Sequence, residues 1–209
     1  MAVGGAGAQT SLAFALAAGP SRAGSWVAAV GVPHLGARAA AGLGVDLRRL
    51  VLVPAVGEQW AVVAAALLEV VDVAILGLPD RGVRPADARR LAARARERGA
   101  VLLLLADRVA LGRRVLSLPE AWPEPTELRL GAQAAVWEGL GQGGGHLRAR
   151  AVTVTAVGRR GASRPRSVGV WLPGPDGRVA ARAETGGSRE ADRGGGAGSP
   201  GWVDDAVGT

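Results

Sequence analysis

Three glycines, at positions 4, 5 and 7, stand between Val3 and an unbroken apolar stretch that runs from Leu12 to Ala18. Glycine tolerates the positive φ and the close backbone approach that a tight strand-to-helix turn needs. Val3–Ala13 therefore reads as a strand end, a glycine-rich turn and the first turn of a buried helix. Such a turn aims backbone N–H groups at an anion resting on the helix N-terminus. The side chains that normally go with it are missing. A working phosphate loop reads G-x-x-x-x-G-K-[ST], its lysine reaching the β- and γ-phosphates. Here Ala8 holds the second glycine position, Gln9 holds the lysine position, and only the hydroxyl of Thr10 is kept. The residues Gly4, Gly5, Gly7, Gln9, Thr10 and Ser11 are thus a degenerate phosphate loop. The expectation is a turn kept for packing and no bound cofactor, with Thr10 and Ser11 capping the helix.

Downstream, short apolar runs alternate with helical segments. Thr10–Ala18 is apolar all round, as a helix buried in an α/β core would be, and Gly19-Pro20 is expected to stop it. Trp26–Val30, Leu50–Val53, Val71–Leu76 and Val101–Leu105 read as strands. Ala37–Leu43, Gly57–Val70 and Pro85–Arg98 read as helices, the first closed by Gly44. Strands that are continuous apolar runs separated by helices indicate a parallel sheet covered on both faces. The pattern then changes: Glu127–Trp137, Arg150–Val157 and Val168–Leu172 follow one another without helices, joined by Gly139–Leu147 and Gly158–Ser167. They read as an antiparallel extension. The fold class is α/β over residues 1–173, followed by a Gly- and Arg-rich segment, 174–209, expected to be a flexible, disordered tail. Only Met1-Ala2-Val3 precedes the glycine turn, so either the fold begins with a very short strand or an N-terminal strand or segment is missing, and the second is the expectation.

Charge and residue usage narrow the chemistry. The 209 residues contain no cysteine and only two histidines, His34 and His146, which excludes Cys-based metal frameworks and any His-rich metal site; no metal is expected. Residues 1–18 lack a basic leader segment, and their apolar run is too short to span a membrane. No membrane partner and a cytoplasmic, conceivably nucleoid-associated, location are the expectations. His34, Asp46 and Asp72 come with no nucleophile elbow and no paired carboxylate, so Asp46 and Asp72 read as element-boundary residues.

Every basic side chain is an arginine, and the net charge of +7 favours polyanions modestly. Arg159, Arg160, Arg164 and Arg166 concentrate at a hairpin tip, with Arg148 and Arg150 close by, and form the leading candidate for sequence-independent phosphate contact. Arg90, Arg94 and Arg98 line one helical stripe. They are a second DNA candidate, read first as a solvated face paired with Asp87 and Glu97. The chain has no tyrosine, and its one phenylalanine, Phe14, lies in the buried helix, so stacking on bases would rest on tryptophan. Trp137 and Trp171 read as core. Trp202-Val203-Asp204-Asp205 near the end of the chain reads as a short apolar-acidic anchor for a partner protein.

Several strings resemble the RecA recombinase core. Leu43-Gly44-Val45-Asp46 followed by Leu50 is similar to its A-L-G-V-D-x-x-x-L segment, Gly57-Glu58-Gln59 to the G-E-Q that opens its next helix, and Val71–Leu76 to its V-D-L-V-V-V strand. The resemblance covers roughly Ala2 to Leu172, and it implies a RecA-like core in which a parallel block precedes an antiparallel extension. It also implies where catalytic groups belong. The phosphate-binding lysine falls on Gln9, the Mg²⁺-associated aspartate on Gly77 and the water-activating glutamate on Pro33. Phosphoryl transfer depends on such groups, so the chain is expected not to be an ATPase. The DNA-binding loops would fall at Leu78–Pro85 and Ala106–Thr126.

A RecA-like chain of this size without ATPase residues resembles actinobacterial ImuA-type proteins. The strings Gly24-Ser25-Trp26, Trp137-Glu138-Gly139-Leu140-Gly141 and Leu172-Pro173-Gly174-Pro175-Asp176-Gly177 carry that likeness. The resemblance implies an accessory protein of SOS-induced, mutagenic translesion synthesis. Its implied partners are an ImuB polymerase-like adaptor and, indirectly, an error-prone C-family polymerase and the sliding clamp. A residual nucleotide-dependent ATPase or switch and a damage-induced cell-division inhibitor are the alternatives.

Overall fold

The computed structural model describes residues 1–4, 8–106, 109–111, 114–116, 121–141, 144–159 and 164–182. In chain order the elements are β1 (Ala2–Gly4), α1 (Gln9–Arg22), β2 (Val27–Val30), α2 (Ala37–Gly42), β3 (Leu50–Val53), α3 (Trp60–Leu67), β4 (Val73–Gly77), α4 (Pro85–Arg98) and β5 (Val101–Ala106). A small separate hairpin follows, β6 (Val109–Leu111) with β7 (Arg114–Leu116). The extension comprises β8 (Leu128–Gly141), β9 (Gly144–Gly158), β10 (Arg166–Trp171) and β11 (Ala180–Ala181). One nine-stranded sheet results, in the order β11-β10-β9-β8-β1-β5-β4-β2-β3. Its β3-β2-β4-β5-β1-β8 portion is parallel throughout, and β9, β10 and β11 add on as antiparallel neighbours.

Each face of the sheet carries its own apolar cluster. Phe14, Leu12 and Ala17 of α1 and Ala40 of α2 pack on Val27, Ile75, Leu103, Leu130 and Val152. Trp60 and Ala64 of α3, with Ala88, Leu91 and Ala95 of α4, pack on Val30, Leu76 and Leu104. The continuous apolar strands follow from this: Val27–Val30 are all buried because both faces are covered. Phe14 is 2% exposed, and its burial stabilises by about 3 kcal/mol.

The helix boundaries are set by local chemistry. Pro85 opens α4 at its first turn, and Leu91 and Ala95 recur on the buried face. After α2, Gly44 takes φ +96°, so that its N–H reaches the Ala41 carbonyl and the Val45 N–H reaches that of Ala40, a Schellman closure.

Six expectations are corrected. The first strand is present: Ala2–Gly4 is central, pairing in parallel with β5 and with β8. Gly19-Pro20 does not stop α1, which runs on to Arg22 with Pro20 inside it. Gly19 and Pro20 are exposed, whereas Ser21 is buried and its hydroxyl accepts the Asp46 N–H at 3.0 Å, anchoring the last turn. Thr10 and Ser11 do not cap α1, because Ala8 is its N-cap and makes no side-chain bond. The stretch Gly139–Leu147 is largely strand, since β8 and β9 pair out to Gly141 and Gly144. Trp137 is 40% exposed rather than core. The described chain continues past residue 173, and Ala180–Ala181 pairs with Val170–Trp171. Residues 183–209, most of the expected tail, lie outside the described residues. Among those described, no helix is long and apolar enough to cross a membrane.

Candidate functional site

In a parallel α/β sheet, ligands gather where the strands end at their carboxyl edge. The register brings Gly4 of β1 beside Ala106, and Gly77 of β4 beside Leu105; Gly31 follows the end of β2. Between β2 and β4 this edge is closed by backbone. A Cβ placed on Gly77 would collide with the Gly31 carbonyl oxygen and lie 2.9 Å from its carbon. Gly31 itself has φ +70°, and a Cβ there would lie 3.0 Å from the Gly77 oxygen and 3.2 Å from the Trp60 ring. Trp60, the first residue of α3, is 5% exposed and donates its indole N–H to the Gly77 carbonyl at 2.8 Å. The indole therefore occupies the space beside the end of β4 and satisfies the carbonyl that points there.

At the end of β1, Gln9 is buried and its Oε1 has no hydrogen-bond partner. The cation at this end of the sheet comes from β9. Arg150 is 5% exposed; its Nη2 donates to Ser11 Oγ at 2.8 Å and its Nε to the Leu172 carbonyl at 2.9 Å. Its guanidinium also lies 4.7 Å from the centre of the Trp137 ring. Burial pulls the Arg150 pKa below the usual guanidinium value. Arg150 thus ties the antiparallel extension to the first turn of α1. Residues 5–7 of the glycine turn lie outside the described residues.

The family model of the MT3502 N-terminal domain matches residues 1–110. The chain belongs to that family. The matched segment contains β1 to β5 and all three groups that close the edge, Gly31, Trp60 and Gly77. A relative in Mycobacterium tuberculosis (strain ATCC 25618 / H37Rv), the uncharacterized protein Rv3395c, is 42% identical over 94 residues. That alignment takes in 45% of this chain, and the chain spans 46% of the relative's length.

Within the MT3502 N-terminal domain, Pro33 and His34 are exposed beyond β2. Asp46 and Asp72 hold element boundaries as expected. Asp72 accepts the Trp26 N–H at 2.8 Å. Asp46 accepts the Arg48 side chain and its N–H, and these bonds hold its carboxyl below the usual carboxylate range. The Arg90–Arg94–Arg98 stripe is tied down: Arg90 pairs with Asp87, Arg94 with Glu69, and Arg98 donates to the Glu69 carbonyl. Glu69, not Glu97, is the second acidic partner. Such exposed pairs contribute about 0–1 kcal/mol each. Among the described residues no three His, Asp or Glu side chains gather as a metal site would require.

Beyond the matched domain, the arginine candidates separate. Arg159, Arg164 and Arg166 are exposed at one end of the β9–β10 pair, with Arg160 outside the described residues. Arg148 is exposed near the other end of β9, about 36 Å away at roughly 3.3 Å per residue. Arg150 is withdrawn from the polyanion set because its side chain is buried against Ser11. Trp202, Val203, Asp204 and Asp205 lie outside the described residues.

Trp60 was missed by sequence reasoning, although it directly follows the Gly57-Glu58-Gln59 string. Trp60→Phe is expected to keep the packing and strand the Gly77 carbonyl. A loss of about 1 kcal/mol, read from the urea midpoint at unchanged slope, is the expected result.

Proposed function

We propose that this protein is a non-catalytic, RecA-like accessory component of DNA-damage-induced translesion synthesis that binds an ImuB-type polymerase adaptor. The sheet supports the RecA-like part of this reading, since a parallel block precedes an antiparallel extension, the arrangement the sequence resemblance implies. One observation carries the non-catalytic part. The position of the metal-side carboxylate, Gly77, has no room for a side chain, because the Gly31 carbonyl and the Trp60 indole fill it. Together with Gln9 in place of the lysine and Pro33 in place of the base, this leaves no group to position Mg²⁺ or water. The protein's role is then recognition of a partner protein. Arg159, Arg164 and Arg166 supply a secondary, sequence-independent contact with DNA.

A nucleotide-dependent switch is the second reading, favoured by the uncapped start of α1 and the unsatisfied Gln9 Oε1 beside it. One experiment separates the two. The full chain is used to capture the purified adaptor, with and without ATP and with and without single-stranded DNA; the Trp202→Ala/Asp204→Lys variant runs alongside. ATP-independent capture is the expected outcome, and its weakening in the variant assigns the contact to the acidic anchor. Capture that requires ATP selects the switch, and no capture overturns the scaffold.

A further inference from the structure

The amino-terminal edge of the parallel sheet, opposite the closed edge, carries features that neither the fold nor the ATPase comparison uses. Between α4 and the segment before β8 lies a cavity of about 200 Å³. Ala92, Ala95, Val101, Leu104 and Trp122 supply much of its apolar wall. This volume falls below the roughly 300–1,000 Å³ of small-molecule sites and suits one apolar side chain. Thr126 also lines it, with a buried Oγ1 that has no hydrogen-bond partner. Arg96 stands in its lining, and its guanidinium makes no hydrogen bond or ion pair among the described residues.

An apolar ridge runs from this cavity along the strand starts. The Val101 N–H bonds to the Asp72 carbonyl and the Asp72 N–H to the Trp26 carbonyl, so the starts of β5, β4 and β2 lie side by side. Here Val101 is 47% exposed, Val70 68% and Trp26 42%, and they are adjacent rather than scattered singly. Arginines flank the ridge. Arg49 lies over the Trp26 ring and donates to the Gly24 carbonyl, and Arg98 donates to the Glu69 carbonyl. Both acceptors are neutral, so these arginines keep their charge available to a partner.

We infer that this edge is a docking surface for a partner-protein segment that presents an apolar anchor side chain flanked by carboxylates. The anchor enters the cavity and the Thr126 hydroxyl gains a backbone partner. The flanking carboxylates meet Arg96 and Arg98, with further apolar contact along Val101, Val70 and Trp26. Exposed aromatic and arginine groups around a desolvated pocket are the composition of an interface centre. Charge decides the occupant: Arg96 and Glu127 line the cavity, while along the ridge Arg49 and Arg98 stand against Asp72, whose carboxylate already accepts the Trp26 N–H, and Glu69 is paired with Arg94, so the surplus is positive on a chain of net charge +7. The inference deepens the scaffold reading by naming a partner surface, and it rests on that reading only for the partner's biological identity.

The test uses the full chain, labelled with ¹⁵N, and three synthetic ten-residue peptides that share a Leu-Phe centre flanked by aspartates, by serines or by arginines. The aspartate-flanked peptide is expected to shift the Val101 amide and the Trp122 indole signals saturably, and to bind at least tenfold more tightly than the arginine-flanked one. Arg96→Glu, an exposed change that leaves the core untouched, is expected to cost at least tenfold in affinity, with Arg96→Lys restoring most of it. Ala92→Trp, which fills the cavity, is expected to abolish binding, its fold checked by circular dichroism. Three results overturn the inference. They are no saturable shift at millimolar peptide, shifts indifferent to Arg96→Glu, and the same shifts appearing in the peptide-free chain when Trp202 is replaced by alanine. The last would give the cavity to the chain's own end. Adaptor capture without peptide binding would sink this surface and leave the scaffold reading standing; peptide binding without adaptor capture would do the reverse.

Discussion

Gly77→Asp is expected to destabilise the protein by about 3 kcal/mol or more and to create no metal site. An aspartate would return a carboxylate to the end of β4, where the RecA resemblance expects one. Its Cβ, however, would be driven into the Gly31 carbonyl, which is backbone and cannot rotate away. Forcing extra atoms into a packed site costs about 1–3 kcal/mol when side chains can yield, and more when backbone must move. Relief requires β2 to part from β4 or α3 to lift Trp60 away from Gly77, and either breaks pairing or a buried hydrogen bond. The readouts are the thermal midpoint and Mg²⁺-dependent stabilisation in the same sample. A variant as stable as the parent, or one that gains stability with Mg²⁺, would show that this edge is open. Gly77→Ala should already carry most of the loss, because the clash begins at the Cβ.

Arg150→Ala comes next, with an expected loss of about 2–3 kcal/mol. The Leu172 carbonyl loses its guanidinium donor, and an unsatisfied buried acceptor costs about 1–3 kcal/mol. The Ser11 hydroxyl and the face of Trp137 lose their contact as well. Part of the stem's packing goes too, so the effect exceeds a charge deletion. Arg150→Lys should recover little, because an ammonium cannot hold Leu172 and Ser11 in one planar fork. Urea denaturation followed by tryptophan fluorescence checks both variants. If Arg150→Ala left stability unchanged while weakening DNA binding, the side chain would belong to the surface set after all.

Most of the parallel half was legible in sequence because its strands are buried on both faces and so appear as solid apolar runs: Val27–Val30, Val73–Leu76, Leu102–Leu105. Pro85 and Gly44 marked helix limits for local reasons that tertiary contacts did not override. The first strand was read as missing because only three residues precede the glycines, yet those three are enough to pair on both sides. Pro20 misled because its cost falls on an exposed turn, while Ser21, one residue on, is buried against Asp46. At the site, the resemblance put Gln9, Gly77 and Pro33 at the positions of interest, but the closure could not be read. It depends on a carbonyl, an indole and a glycine separated in the chain by up to 46 residues, between Gly31 and Gly77. Arg150 was within reach of the sequence: strand alternation places it on the face of Val152 and Val154, which lie in the α1-side core. Its charge outweighed that parity in the reading.

Among the described residues, the three residues of β1 are the only rungs that join β5 to β8 and, through β8, to the antiparallel strands beyond it. A zipper this short holds poorly by its own hydrogen bonds. What keeps the two wings in one plane is the strut laid across them: Phe14 and Leu12 share a core with Leu103 on one side and Leu130 and Val152 on the other, and Arg150 bolts the far wing to Ser11. Helix α1 is thus a splint, and the orientation of the arginine-bearing wing relative to the rest is set by its packing across both.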